Sequence, residues 1–295
     1  MALSNENHEK LIKRTTASAL GVNEDDVSID FRLMGGMSNF TYVILAGETR
    51  YTFRIPGKNA EKFVDRDVEK THIELIKPLG LNNETVYLDT TTGIKIAKYI
   101  EGTPMHQAKP LNYLEKTAEV LRSVHESGLK SPHDYNPFKR IAAYEQYVKD
   151  EGLTHEARYY EYKDTLFSYQ PFLDQFDKTL THGDAQVSNF VITNEGDLRL
   201  MDWEFTGMND PFFDIAQYGN KDFDHAVALL GVYLGRTPTH EDFKRLYLWR
   251  TDLCLQWHNV ALYKHAIGLS EDLKIPFDKV ASAYLDKAAA LLGKL

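Results

Sequence analysis

The spacing of apolar residues changes from a helical to a strand period near residue 27 and back to a helical one past residue 104. Leu11, Ile12, Thr15 and Ala19 recur at helical spacing, which predicts a helix over 5–20 ended by Gly21. From Val27 the period is two: 27–33, 40–46 and 51–55 read as an antiparallel meander broken at Gly35-Gly36 and Gly47-Glu48. A helix over 61–77 follows, with Phe63, Val68, Ile73 and Ile76 on one side and Pro78 stopping it. Segments 85–89 and 94–100 then make a hairpin around Thr92-Gly93, completing a sheet of five strands. Gly102 and Pro104 punctuate the chain after that strand and predict a boundary near residue 102.

Helical spacing dominates the remainder, over 110–127, 138–149, 155–176 and 241–268. One short hairpin interrupts it, with arms 190–192 and 198–201 around a polar turn at 194–197. The expected fold class is therefore α+β: residues 1–102 as a lobe with a five-stranded antiparallel sheet and a helix, residues 103–295 as a mainly helical lobe.

Composition narrows the function classes. A chain of 295 residues, 43% apolar and 12% aromatic, has the material for a sizeable core. Its formal charge of −9 argues against a nucleic-acid partner held by phosphate contacts and suits a cationic substrate. The first ten residues lack an apolar signal region and no run of eighteen apolar residues occurs, so a soluble, unexported, cytoplasmic protein without a membrane span is expected. A single cysteine, Cys254, excludes an intrachain disulfide and a cysteine-based zinc site; between Leu253 and Leu255 it reads as a core residue.

The candidate chemistry gathers at 181–204. Asp184 and Asn189 enter the short hairpin, and Asp202 and Glu204 leave it, so three carboxylates and an amide are expected at one mouth of a buried ribbon. Only oxygen is offered there, which suits Mg²⁺, an ion that needs one or two protein carboxylates beside a nucleotide's phosphates. A further carboxylate could accept a hydroxyl proton.

His182-Gly183-Asp184 with Asn189, followed by Asp202-Trp203-Glu204, resembles the catalytic and metal-binding loops of protein-kinase-like phosphotransferases in their small-molecule variant. Gly35-Gly36-Met37-Ser38-Asn39 and Phe53-Arg54-Ile55-Pro56-Gly57 are similar to the corresponding turn and third strand of choline kinases. The resemblance covers roughly residues 27–265, by motif order and spacing.

That resemblance implies a two-lobed kinase-like fold using ATP and Mg²⁺. Asp184 would be the base, and Asn189 and Asp202 would hold magnesium. Gly36, Ser38 and Asn39 would cover the nucleotide phosphates, and Arg54 would contact them, an arginine being able to bind phosphate through two parallel N–H groups. A carboxylate on the helix that follows should hold Arg54, with Glu69 as the candidate and Glu74 as its competitor. Glu101 lies in the segment similar to the interlobe linker whose backbone binds the adenine edge, and Asp214 matches an aspartate that buttresses the catalytic loop.

For the acceptor, the resemblance points to choline, with Gln186 positioning the alcohol and Glu204 among the substrate residues. A quaternary ammonium has no N–H to donate, so aromatic faces from a C-terminal helix recognise it; Trp249, Trp257 and Tyr263 are the candidates. Ethanolamine, an aminoglycoside or thiamine are alternative acceptors on the same fold. An inactive pseudokinase is a further alternative, against which stands the retention of Asp184, Asn189 and Asp202.

Overall fold

The computed structural model describes residues 5–33 and 39–295. The chain begins with α1 (Asn5–Leu20), β1 (Val27–Leu33), β2 (Asn39–Ala46), β3 (Thr49–Pro56) and α2 (Arg66–Ile76). Strands β4 (Thr85–Leu88), β5 (Lys95–Lys98) and β6 (Gly102–Pro104) follow. Then come α3 (Leu114–His125), α4 (Pro137–Asp150), α5 (Ala157–Ser168), α6 (Gln170–Leu173), β7 (Thr179–Thr181), β8 (Phe190–Thr193) and β9 (Leu198–Leu200). The last stretch holds β10 (Gly207–Asn209), α7 (Phe212–Tyr218), α8 (Phe223–Leu234), α9 (His240–Ala266), α10 (Leu269–Leu273) and α11 (Phe277–Leu292). Among the described residues no helix is long and apolar enough to cross a membrane.

The chain forms two compact units, Met1–Ala108 with Ser188–Thr206, and Lys109–Val187 with Gly207–Leu295. The short hairpin therefore belongs to the first unit, although it lies far beyond residue 102 in sequence. The cause is strand pairing: β6 continues past the expected boundary and pairs with β8, making a small sheet of order β6-β8-β9. Gly102 permits this, because a Cβ there would meet the Ile192 carbonyl oxygen.

In the first unit the five-stranded antiparallel sheet has the order β1-β2-β3-β5-β4. Val27, Tyr42, Ile44, Phe53, Ile55 and Ile96 build its core, and Ile12 of α1 packs into it. Helix α2 starts later than the apolar pattern suggested. A single 3-10 turn occupies Ala60–Lys62, and the helix begins only after Asp65, whose carboxylate accepts from the N–H groups of Asp67 and Val68 at 3.0 and 3.1 Å. That side chain satisfies two donors which an earlier start would leave to other partners.

The second unit is built around α9, 27 residues long and capped by reciprocal bonds between Thr239 and Asp242. Helices α4, α7 and α11 pack on it. The helical pattern over 155–176 is in fact two helices, α5 and α6, with Pro171 in the first turn of the second. Proline has no N–H to continue the helix behind it, which accounts for the break. Cys254 is fully buried in α9.

Candidate active site

Strand β3 carries Phe53 and Ile55 into the core shared with α1, so Arg54 points from the opposite face toward α2. There it is 5% exposed and grips Glu69 bidentately, Nη1 to Oε1 and Nη2 to Oε2, both at 2.7 Å. Glu74 is exposed and lies 3.9 Å from Lys77, so Glu69 is the carboxylate that meets Arg54. Arg66 and Lys95 also reach Glu69, at 2.7 and 3.1 Å. Arg66 is three residues before Glu69 on one helix, and Lys95 is the cross-strand partner of Arg54. The second relation depends on strand register, which the chain order does not display.

Glu204 joins this cluster. It is 7% exposed, and its Oε2 accepts from Arg66 at 2.7 Å and Arg54 at 3.2 Å. Glu204, expected among the substrate residues, directs its side chain to the arginines of its own unit. Burial pushes the Glu69 carboxyl up, but Lys95, Arg54 and Arg66 outweigh it and hold the group well below the usual carboxylate range. For Glu204 burial wins with help from Asp202, and its carboxyl stands above the ordinary value despite the same arginines. Burial also opposes charge on Arg54, and Glu69 and Glu204 overcome it, fixing the guanidinium charged.

Asp202 differs from these two. It is left-handed at φ 68° and ψ 65°, an unusual conformation for a side-chain-bearing residue, and its carboxylate is 37% exposed. Its Oδ1 stands 3.6 Å from Arg54 Nη1. Carboxylate oxygens of Glu69, Asp202 and Glu204 all lie within 4.8 Å of one another. Since guanidinium groups engage the first and third, Asp202 is the one with oxygen to offer a cation. Asn189 is at the same end of the hairpin, its carbonyl accepting from Met201 N–H at 2.8 Å.

Other expected nucleotide residues are placed less closely. Asn39 opens β2 opposite Pro56. Gly36 and Ser38 lie outside the described residues. Glu101 is exposed, with its carboxylate 2.9 Å from Arg50 Nη1, so its side chain serves a surface ion pair.

In the second unit, the loop after β7 carries Asp184, 6% exposed. Asp214 of α7 fixes that loop from below: its oxygens accept from the N–H groups of His182 and Gly183 at 2.7 and 2.8 Å. His125 reaches the same carboxylate at 3.0 Å. Burial would raise the Asp214 carboxyl, but the His125 bond and charge hold it below the ordinary value. Gly183 has φ 81°, and its carbonyl accepts from Gln217 Nε2 at 3.0 Å. The left-handed turn at glycine throws Asp184 clear of the strand it follows. Gln186 Nε2 donates to Asp184 Oδ2 at 3.0 Å, bringing together two of the expected site residues.

The aromatic candidates separate. Trp249 is 3% exposed, donates its indole N–H to Asp210 Oδ2 at 2.6 Å and packs edge-on to Phe213. Tyr263 is 1% exposed and lies against Tyr147. Both of these side chains, expected at the acceptor, are buried, and Trp249 also lines a cavity with Phe138, Phe176 and Asp210. Trp257 alone of the three is half-buried. Asp210 accepts from Phe212 N–H at 2.8 Å at the start of α7 and is also clamped by Arg245 through two bonds of 2.6 Å.

One buried group went unremarked in the sequence. Asp252 of α9 is fully buried; its Oδ1 accepts from Gln256 Nε2 at 2.5 Å, and its Oδ2 has no partner. Gln256 in turn accepts from the Tyr135 hydroxyl at 3.0 Å. Burial pushes the Asp252 carboxyl up to about 8, against the Gln256 bond and the charge of Arg140. A carboxylate inside an otherwise apolar helical run is the signal that marks it.

Comparison with known proteins bears on this constellation. Residues 31–222 match the family model described as Choline/ethanolamine kinase. Protein LicA of Haemophilus influenzae is 24% identical over 194 residues, spanning 64% of this chain and 57% of that protein, which is less than two thirds of its length. Among solved structures, choline kinase LicA from Streptococcus pneumoniae is similar with a TM-score of 0.80 and 25% identity, covering 98% of this chain and 99% of that one. A structure of LicA in complex with AMP has a TM-score of 0.77 at 24% identity, with 99% of both chains covered. With well over half of its length matched by one family model and a similar fold shared with a choline kinase over 98% of the chain, it belongs to the choline/ethanolamine kinase family.

Proposed function

We propose that the protein transfers the γ-phosphoryl group of ATP to the hydroxyl of choline, giving phosphocholine and ADP, in the cytoplasm. The observation that carries the reading is Asp184: a carboxylate nearly buried, oriented by Gln186 and mounted on a loop that Asp214 anchors through two backbone bonds. Such a group is built to hold a hydroxyl and take its proton. The proton passes to the carboxylate as the hydroxyl oxygen bonds to phosphorus and the bond to the departing ADP oxygen breaks.

Arg54 is the phosphate-binding residue of this reading, held in place by Glu69. The AMP bound by the similar LicA structure supports an adenine nucleotide as the donor. Asn189 and Asp202 fit Mg²⁺ in kind, both offering oxygen, with Asp202 the least committed carboxylate of its cluster. When bound, the ion supplies neutralisation of phosphate charge. Among acceptors, choline rests on Trp257, since an aromatic face is what recognises a cation that cannot donate a hydrogen bond.

An ADP-release assay over choline, ethanolamine, thiamine and an aminoglycoside tests the proposal. Choline should give the highest kcat/KM. Preference for the aminoglycoside would overturn the acceptor, and no ADP release with any of them would overturn the activity.

A further inference from the structure

We infer that Arg250 and Asn220 are positioning residues that fix the direction of the Gln186 amide, and through it decide which oxygen of Asp184 takes the acceptor's proton. This rests on the reading of Asp184 as the base. Arg250 lies in α9 and is 1% exposed. Its Nη2 donates to Asn220 Oδ1 at 2.9 Å and to the Asn220 carbonyl at 3.2 Å. Asn220 Nδ2 donates to Gln186 Oε1 at 3.0 Å, and Gln186 Nε2 donates to Asp184 Oδ2 at 3.0 Å.

The polarity of this chain follows from its ends. A guanidinium has donors only, so Asn220 must turn its oxygen toward Arg250 and its amino group toward Gln186. Gln186 must then present its oxygen to Asn220, which leaves its amino group for the carboxylate. An ionised Asp184 demands the same direction. Once it has accepted a proton that demand is gone, and the Arg250 end alone keeps the relay from reversing. Oδ2 is thus held as an acceptor throughout, and the acceptor's proton goes to Oδ1.

A purely structural role for Arg250 accounts poorly for its setting. Its Nη1 is buried with no hydrogen-bond partner, and Lys287, whose amine burial and the Arg250 charge lower, also approaches the Asn220 carbonyl at 3.4 Å. A buried guanidinium with an unused donor beside a second cation costs stability. Around the catalytic end in this unit, His182 Nδ1 accepts from Asp184 N–H, the phenols of Tyr135 and Tyr284 feel the Asp184 charge, and Tyr284 also bonds to the Asn220 side chain. A hydroxyl can donate or accept, so Tyr284 follows the direction that Arg250 imposes on Asn220.

The discriminating variant is Asn220→Asp. It keeps the shape, forms an ion pair with Arg250, and offers Gln186 an acceptor where it had a donor, so the amide is frustrated between two carboxylates. We expect kcat for choline to fall roughly 10- to 100-fold, with the KM for ATP and the melting temperature not reduced by comparable effects. In a Gln186→Ala background the same change should cause no further loss, because the relay is already cut. Side-chain amide NMR reads the relay without turnover: the Gln186 Nε2 protons should be protected from exchange in the unsubstituted protein and lose protection in Asn220→Asp. Retained protection, a normal kcat, or losses that multiply in the double variant would each overturn the relay. An unsubstituted protein that phosphorylates no amino alcohol, yet shows the protected amide and its loss, overturns the choline reading and leaves the relay supported.

Discussion

Arg54 and Glu69 meet through two N–H···O bonds of 2.7 Å; among the described residues Glu69 has two further cations, while Arg54 has only Glu204 beyond it within hydrogen-bonding distance among the side chains. The pair is therefore asymmetric. Removing Arg54 leaves Glu69 compensated by Arg66 and Lys95; removing Glu69 leaves three buried cations against Glu204 and the more distant Asp202. Glu69→Ala should cost about 3–5 kcal/mol of stability, the range for breaking a buried ion pair. Arg54→Ala should cost less stability and act mainly by raising the KM for ATP. Denaturant titration of both variants checks the order, and equal losses would mean the cluster does not share charge in this way.

Asp184→Asn should lower kcat by about 10²- to 10⁴-fold, the usual contribution of a general base. The fold should hold, because the loop is fixed by Asp214 and not by Asp184 itself. A variant with normal kcat would remove Asp184 from the chemistry.

Asp202→Ala should raise the magnesium concentration needed for half-maximal rate, since Asn189 alone gives the ion no protein charge. Alanine keeps the Cβ and tolerates the left-handed backbone less well than aspartate, so a small loss of stability should accompany it. An unchanged magnesium requirement would make Asp202 a structural residue.

Asp252 carries a stability signature with a definite sign. An unfolded aspartate titrates near about 3.9, whereas burial pushes the native group up to about 8. Between those values the native state binds the extra proton, so stability falls as pH rises through that window and levels off above it. Asn at this position can keep an oxygen toward Gln256 and has no such proton to lose. Asp252→Asn should therefore gain thermal stability relative to the unsubstituted protein as pH goes from 5 to 8. A constant difference across that range would show that Asp252 is ionised when buried.

These residues show where the sequence was readable. The two periods gave the five strands and the helical remainder, because burial of one face dictates which positions are apolar. Asn189 and Asp202 stand at the same end of one short hairpin within a single unit, where local spacing is enough to group them. Helix α2 began late because Asp65 capped it, a single-residue preference that overrode the apolar pattern of 61–64. Lys95, Glu204 and Asn220 were not assigned their roles, since each depends on strand register or on contacts between segments far apart in the chain. The partner of Trp249 was hidden for the same reason: Asp210 lies 39 residues away, and nothing local announces that it takes the indole N–H.

Trp249 and Trp257 lie eight residues apart on α9, about a quarter-turn from each other around the helix axis, and that offset separates their roles. Trp249 is buried with its N–H on Asp210, while Trp257 keeps part of its surface. Trp249→Phe keeps an aromatic ring against Phe213 and removes only the bond to a buried carboxylate that retains Arg245. That loss is about 1–3 kcal/mol, or roughly 2–10 °C in melting temperature, and neither KM should move once the protein is folded. Trp257→Ala should behave in the opposite way. If it supplies a face to the trimethylammonium group, the KM for choline should rise roughly 2- to 30-fold while the KM for ATP holds. Ethanolamine, which can donate hydrogen bonds instead, should lose less. Melting temperature and the two acceptor KM values, measured on both variants, decide the matter: a Trp257→Ala protein with unaltered choline KM takes Trp257 out of the acceptor site.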